Sequence, residues 1–285
     1  MRTRIIVGNL LAYGTMGLLV GDTYLAPWFP VLFAGLAFIG VVATRELLSL
    51  FPADIRPPTA PVVAAVLLVL VANWLPLAAP HVPRIEAVLF AFVGVLLLAL
   101  CGEMARFREP GGIVQRLGLV LFAVAYVGLL GSAFAQLRWV FPDAYRSSWA
   151  LALAVFVPKG ADTAAYFTGR FFGRHKMTPL LSPKKTWEGL AGGLAFSSFV
   201  GPWFNAMAGG VFPGGMMEAV AFGFVVGGVG VLGDLAESLV KRDAAAKDAA
   251  AVIPGFGGLL DVVDSILFAA PVAYLWFAVS LFLAR

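Results

Sequence analysis

The sequence predicts an all-α fold: a polytopic transmembrane helix bundle of about nine spans, with its N-terminus in the cytoplasm. Three observations predict it. Of 285 residues, 61% are hydrophobic and only 13% charged, and mean hydropathy is +0.92. Soluble domains are about 45–50% apolar and about 25% charged. Apolar runs long enough to cross a hydrocarbon core of about 30 Å recur along the whole chain. Finally, Lys and Arg segregate between alternate connecting segments, as the positive-inside rule requires.

The spans fall near Ile5–Val20, Phe29–Thr44, Ala60–Leu77, Ile85–Leu100, Leu117–Ala135, Ser148–Phe167, Gly189–Met207, Met217–Leu232 and Val263–Leu283. They are longer than the roughly 10-residue alternating segments of a β-barrel, so they are helices. Met1-Arg2-Thr3-Arg4 ahead of the first run resembles the start of a signal peptide. No small-residue cleavage site follows, so the run is read as a retained helix. With the N-terminus inside, only Arg84, Arg138, Arg146 and Arg285 of the 20 Lys and Arg residues fall outside. That split supports an odd number of spans, with the N-terminus inside and the C-terminus outside; the expected location is a bacterial inner membrane.

The net charge of +4 is therefore loop retention rather than nucleic-acid affinity. Cys101 is the only cysteine, which excludes internal disulfides and CxxC metal sites, and His81 and His175 fit no zinc spacing. The chain divides into N-terminal transmembrane helices (1–147) and a C-terminal region (148–285) that carries two polar inside segments, 168–188 and 233–262. Arg45-Glu46 and the Glu103-to-Arg116 loop read as ordinary flanking charge. Gly189, Gly193, Gly223, Gly227 and Gly230 recur at helical spacing and are assigned to close helix packing.

Three constellations can carry chemistry. Lys159, Asp162, Thr163, Tyr166 and Arg170 share one face of the sixth span. Charge in an apolar slab implies a partner or a wet cavity, and a helix-locking Lys–Asp pair is the plainer alternative. In Ser182-Pro183-Lys184-Lys185-Thr186-Trp187-Glu188-Gly189, Ser before Pro reads as a helix N-cap. Lys184 and Lys185 beside the free N–H groups would make a phosphate cradle, or else simple flanking charge. Third, Asp234, Glu237, Ser238 and Lys241 lie at i, i+3, i+4 and i+7. Asp234 is expected to end the eighth span. Asp261 and Asp264 begin the ninth, after a Gly-rich turn. Carboxylates from two such helix ends can share Mg²⁺, a hard cation that suits oxygen ligands; a solvated loop helix is the alternative.

At these residues the sequence resembles the CTP:phosphatidate cytidylyltransferases, or CDP-diacylglycerol synthases. Gly233-Asp234-Leu235-Ala236-Glu237-Ser238, Lys241-Arg242, Lys247-Asp248, Gly257-Gly258, Asp261 and Asp264 match the family's C-terminal signature. Ala165 to Arg170 and Ser182 to Gly189 match two further motifs. The resemblance spans about residues 155–270. Three departures stand out: Phe256 in place of His, Val262 in place of Arg and Ala161 in place of Asn.

The resemblance implies Mg²⁺-dependent synthesis of CDP-diacylglycerol and pyrophosphate from CTP and phosphatidic acid at the cytoplasmic membrane face. It implies Asp234 and Asp261 as metal ligands, with Lys241 and Lys159 beside them as catalytic groups. Lys159 would partly replace the missing Arg charge. Asp162, Tyr166, Arg170, Ser182, Lys184, Lys185, Glu188, Ser238, Arg242, Lys247 and Asp248 would contact substrate. A second cation and a homodimer stay open, as do two rival functions, a lapsed family member that binds lipid or a partner and a membrane transporter.

Overall fold

The structure, a computed structural model, describes residues 14–246 (Met16 excepted) and 257–284. It is a helical bundle with one small β-hairpin. The helices are α1 (Pro30–Ser49), α2 (Thr59–Ala78), α3 (Arg84–Arg106), α4 (Ile113–Trp139), α5 (Ala144–Phe172), α6 (Trp187–Met207), α7 (Gly215–Asp243) and α8 (Leu260–Leu283). The hairpin pairs β1 (Lys176–Thr178) with β2 (Ser182–Thr186) in antiparallel register.

Six helices, α1 to α4, α7 and α8, are long and apolar enough to cross a membrane. Their outer faces suit lipid. Phe90 is 71% exposed and Phe224 53%, with Phe38 and Leu98 similarly bare. Apolar surface on that scale is unfavourable in water but matches hydrocarbon. The predicted spans from Phe29–Thr44 onward fall within these helices and within α5 and α6, save that Phe29 is the residue just before α1. The first, Ile5–Val20, lies largely outside the described residues.

α5 is the central element. Ala150 to Ala154 are fully buried, and α6, α7 and α8 pack around it. Its start is capped by Asp143, whose carboxylate accepts from Tyr145 N and Arg146 N. The glycines act through closeness. A Cβ at Gly193 would come within 2.7 Å of Ala161 O, and one at Gly189 within 2.8 Å of Ala165 O. Only glycine lets α6 lie this tightly on α5, as small residues do at membrane helix interfaces. α4 is interrupted by a π-helical turn over Val124–Leu129 and is stapled to α2 by Asn73, whose amide donates to Ser132 Oγ.

Two local expectations fail. Ser182-Pro183 does not cap a helix, because residues 182–186 pair with β1. The cap of α6 is Thr186, whose hydroxyl accepts from Gly189 N at 3.1 Å. Nor does Asp234 end a helix. α7 runs on to Asp243, because its polar face finds partners within the protein and does not need to leave the helix for water.

Candidate active site

The ends of several helices meet at one end of the bundle: the C-terminal parts of α1, α5 and α7, the N-terminal turns of α6 and α8, and the hairpin. Thr186 approaches Gly169 and Gly173, which holds the hairpin against the end of α5. Glu188 holds it from the other side. Its carboxylate accepts from Arg174 N and His175 N and meets His175 Nδ1 at 2.6 Å. This occupancy keeps the Glu188 carboxyl far below its ordinary range, at about 2, chiefly through the His175 side chain. Glu188, expected at the substrate, is thus engaged in fixing the hairpin.

The acidic groups gather where α7 faces α8. One oxygen each from Asp234, Glu237 and Asp264 lie within 4.8 Å of one another. Glu237 is buried, and its Oε1 has no partner among the described residues. Asp264 is 3% exposed. Unsatisfied carboxylate oxygens in a buried site are costly without a counter-charge.

Three lysines supply part of that charge. Lys159 reaches across from α5 to Asp264 at 3.2 Å and sits 3.8 Å from Asp162. Lys185, on β2, meets Asp234 at 2.9 Å. Lys241 bridges Glu237 at 2.8 Å and Asp261 at 2.6 Å. Asp261 also accepts from Gly258 N at 2.6 Å. So Asp261 faces Lys241, while Asp264, one turn further along α8, faces Asp234.

Other expected residues lie around this core. Ser238 Oγ is 3.5 Å from Asp234 Oδ1. Tyr166 and Arg170 are exposed on α5 and paired with each other at 3.1 Å. Lys184 is exposed on β2, and Ser182 is half-buried and strand-paired to Thr178. Arg242 donates to Leu181 O and Ala246 O, tying α7 to the hairpin. Lys247, Asp248 and Phe256 lie outside the described residues. Val262 is half-buried in the first turn of α8.

One residue was misread in the sequence. Glu46, taken as flanking charge, is only 5% exposed, and its carboxylate accepts from Leu259 N at 2.9 Å and Leu260 N at 2.7 Å. The opening amides of a helix lack intrahelical acceptors and favour negative charge. Glu46 therefore caps α8 from α1 and sets the turn that bears Asp261 and Asp264. The predicted span ended at Thr44, which left Glu46 outside it, whereas the helix runs on to Ser49 and carries Glu46 into the fold.

The molecule is thus an integral membrane protein that gathers a carboxylate cluster and three lysines at one end of an apolar helical bundle. The chain belongs to the Cytidylyltransferase family, which it matches over residues 2–280. It is 32% identical over 201 residues to the phosphatidate cytidylyltransferase of Haemophilus influenzae, covering 68% of each chain. Over 215 residues it is 32% identical to phosphatidate cytidylyltransferase 4, chloroplastic, of Arabidopsis thaliana, which takes in 67% of this chain and about half, 51%, of that relative. Identity to the Synechocystis phosphatidate cytidylyltransferase is 28%, across 94% of this chain and 92% of the relative.

Proposed function

We propose that this chain transfers the cytidylyl group of CTP to phosphatidic acid, giving CDP-diacylglycerol and pyrophosphate. The observation that carries the reading is the carboxylate cluster of α7 and α8 with its three lysines, in a member of the Cytidylyltransferase family. A phosphate oxygen of phosphatidic acid forms a bond to the α-phosphorus of CTP, and the bond to the β-phosphate breaks. The nucleophile is already an anion near neutral pH, so no dedicated base is required.

The donor set fits a divalent cation. Asp162, Asp234, Glu237, Asp261 and Asp264 are five carboxylates against three lysines, an excess of two negative charges when all are ionised. Hard oxygen ligands favour Mg²⁺. Asp234 with Asp264 and Glu237 would hold it, and the expected ligand Asp261 lies one turn from Asp264. A bound Mg²⁺ would neutralise charge developing on the transferring phosphates. Lys184, Lys185, Lys241 and Arg242 would hold the triphosphate or lipid headgroup, with Tyr166, Arg170 and Ser238 at the rim. Lys159, already on Asp264, stands in for the charge that Val262 lacks. The acyl chains stay between helices. With nine spans, this end faces the cytoplasm across a bacterial inner membrane.

The test is an assay of detergent-purified chain with labelled CTP and phosphatidic acid, with and without Mg²⁺. Lipid-soluble labelled product that requires both substrates and the metal is expected. A folded protein that yields none would refute the reading.

A further inference from the structure

A second cluster of unsatisfied polar groups lies towards the other end of the bundle. It comprises Arg84, which opens α3, and Arg138 and Trp139, which close α4. The Arg84 guanidinium carbon sits 4.3 Å from the Trp139 ring centroid, and that of Arg138 lies 4.1 Å from the Phe29 ring. Trp139 is itself fixed edge-on by Phe29 and Trp74. These rings attract the cations by their faces, but a ring face leaves most guanidinium N–H groups unpaired.

Nε of Arg84, Nε and Nη2 of Arg138 and Nε1 of Trp139 are all buried and have no acceptor among the described residues. Arg138 is 1% exposed and commits only Nη1, to Ser148 Oγ. Asp22, buried in the segment ahead of α1, directs its two carboxylate oxygens to Val31 N and Leu32 N. Buried donors are almost always paired, so such a cluster calls for an acceptor.

Trp139 also borders a groove of about 280 Å³, lined further by Val140, Tyr274, Ala278, Leu281 and Phe282. The α8 residues recur every three or four positions, so they form one continuous helical face. Arg84 lies over the ring of Trp139, a residue of the groove wall, which places its charge at the edge of the groove. Asp264 and Phe282 are 18 residues apart on α8, roughly 27 Å along its axis. The groove is therefore distinct from the acidic site.

We propose that this groove binds a membrane phospholipid. The phosphate accepts from Arg84 and Trp139, Arg138 behind them adds a second positive charge, and an acyl chain follows the Tyr274–Phe282 face. An acceptor-only anion with several oxygens answers guanidinium and indole donors together. The apolar wall beyond them favours a lipid over a free ion.

The test uses the full chain, purified and delipidated in an uncharged detergent, with phosphatidylglycerol or inorganic phosphate as probe. Bound lipid is read by native mass spectrometry and stability by melting temperature. Wild type should retain one phosphatidylglycerol and melt higher with it, while inorganic phosphate at equal concentration does neither. Arg84→Gln and Trp139→Phe, the latter keeping the ring, should each weaken lipid retention about tenfold or more and keep cytidylyl transfer. The proposal is overturned if wild type retains no lipid, if both variants retain it as wild type does, or if inorganic phosphate alone reproduces the stabilisation.

Discussion

Glu46→Gln tests whether the first described span controls geometry at the last. The carboxylate of Glu46 accepts two backbone N–H groups at 2.9 and 2.7 Å in a buried setting. Hydrogen bonds to a charged acceptor contribute about 1.5–3 kcal/mol each. A glutamine has one oxygen to offer and turns an NH₂ towards the second amide, so one bond is lost and the other loses its charge. The expected loss is about 2 kcal/mol, localised at the turn bearing Asp261 and Asp264. Glu46→Ala leaves both amides unpaired and should cost about 2–6 kcal/mol. Binding of Mn²⁺, followed by electron paramagnetic resonance on purified protein, should weaken roughly tenfold in Glu46→Gln, since about 1.4 kcal/mol of the loss reaching the site is a factor of ten. The melting temperature should fall as well. The exposed neighbour Arg45, changed to Gln, is the control and should alter neither. If Glu46→Gln binds Mn²⁺ and melts as wild type does, Glu46 is not a positioning residue and the reasoning fails.

Asp234→Asn and Asp264→Asn should abolish cytidylyl transfer and Mn²⁺ binding together, whereas exposed Asp243→Asn should keep both; comparing Asp261→Asn decides whether Asp261 is a ligand or a holder of Lys241. Lys159→Ala should be severely damaging in the labelled-CTP assay, and adding Val262→Arg should recover part of the rate; no recovery would remove the stand-in role of Lys159. Because the Glu188 carboxyl titrates near 2 in the folded chain, its clamp on the hairpin is fully present above its ordinary pKa of about 4.5 and fades as pH falls towards 2. Proteolytic cutting of the hairpin should rise over that window, and Glu188→Gln should be cut readily at neutral pH too. Single cysteines at Ser182 and Ala246, in a background without Cys101, should resist a membrane-impermeant thiol reagent in intact cells; labelling from outside would reverse the proposed orientation.

Hydropathy made the helices legible, because a span must satisfy its own backbone and present apolar side chains to lipid. It could not place their ends. The predicted eighth span stops at Leu232, where charge begins, yet α7 continues because Lys185 and Lys241 neutralise Asp234 and Glu237 from within the fold. Lys241 stands one turn along the same helix, but Lys185 comes from β2, a distant stretch of the sequence. The Ser182-Pro183 cap fails similarly. The local pattern suits a cap, but the strand pairing to Lys176–Thr178 is a tertiary choice, and Thr186 takes the role four residues later. The site's residue types were readable from their spacing, but their grouping was not. Asp261 and Asp264 are equivalent in an i, i+3 pattern, and only the packing of α7 on α8 sets one against Lys241 and the other near Asp234. Glu46 was hidden because its partners are more than 200 residues away.

The three lysines at the acidic end are each already satisfied. Lys159 rests on Asp264, Lys185 on Asp234, and Lys241 between Glu237 and Asp261. An arriving phosphate must draw an ammonium away from a carboxylate, and the carboxylate left behind then seeks a new counter-ion. A cation claiming those carboxylates meets the mirror situation and releases lysines. Each arrival thus eases the other, so nucleotide and metal should bind with positive heterotropic cooperativity. By thermodynamic linkage the factor by which one tightens the other is the same in both directions. Either component alone must break lysine–carboxylate pairs, and the two together exchange partners across them.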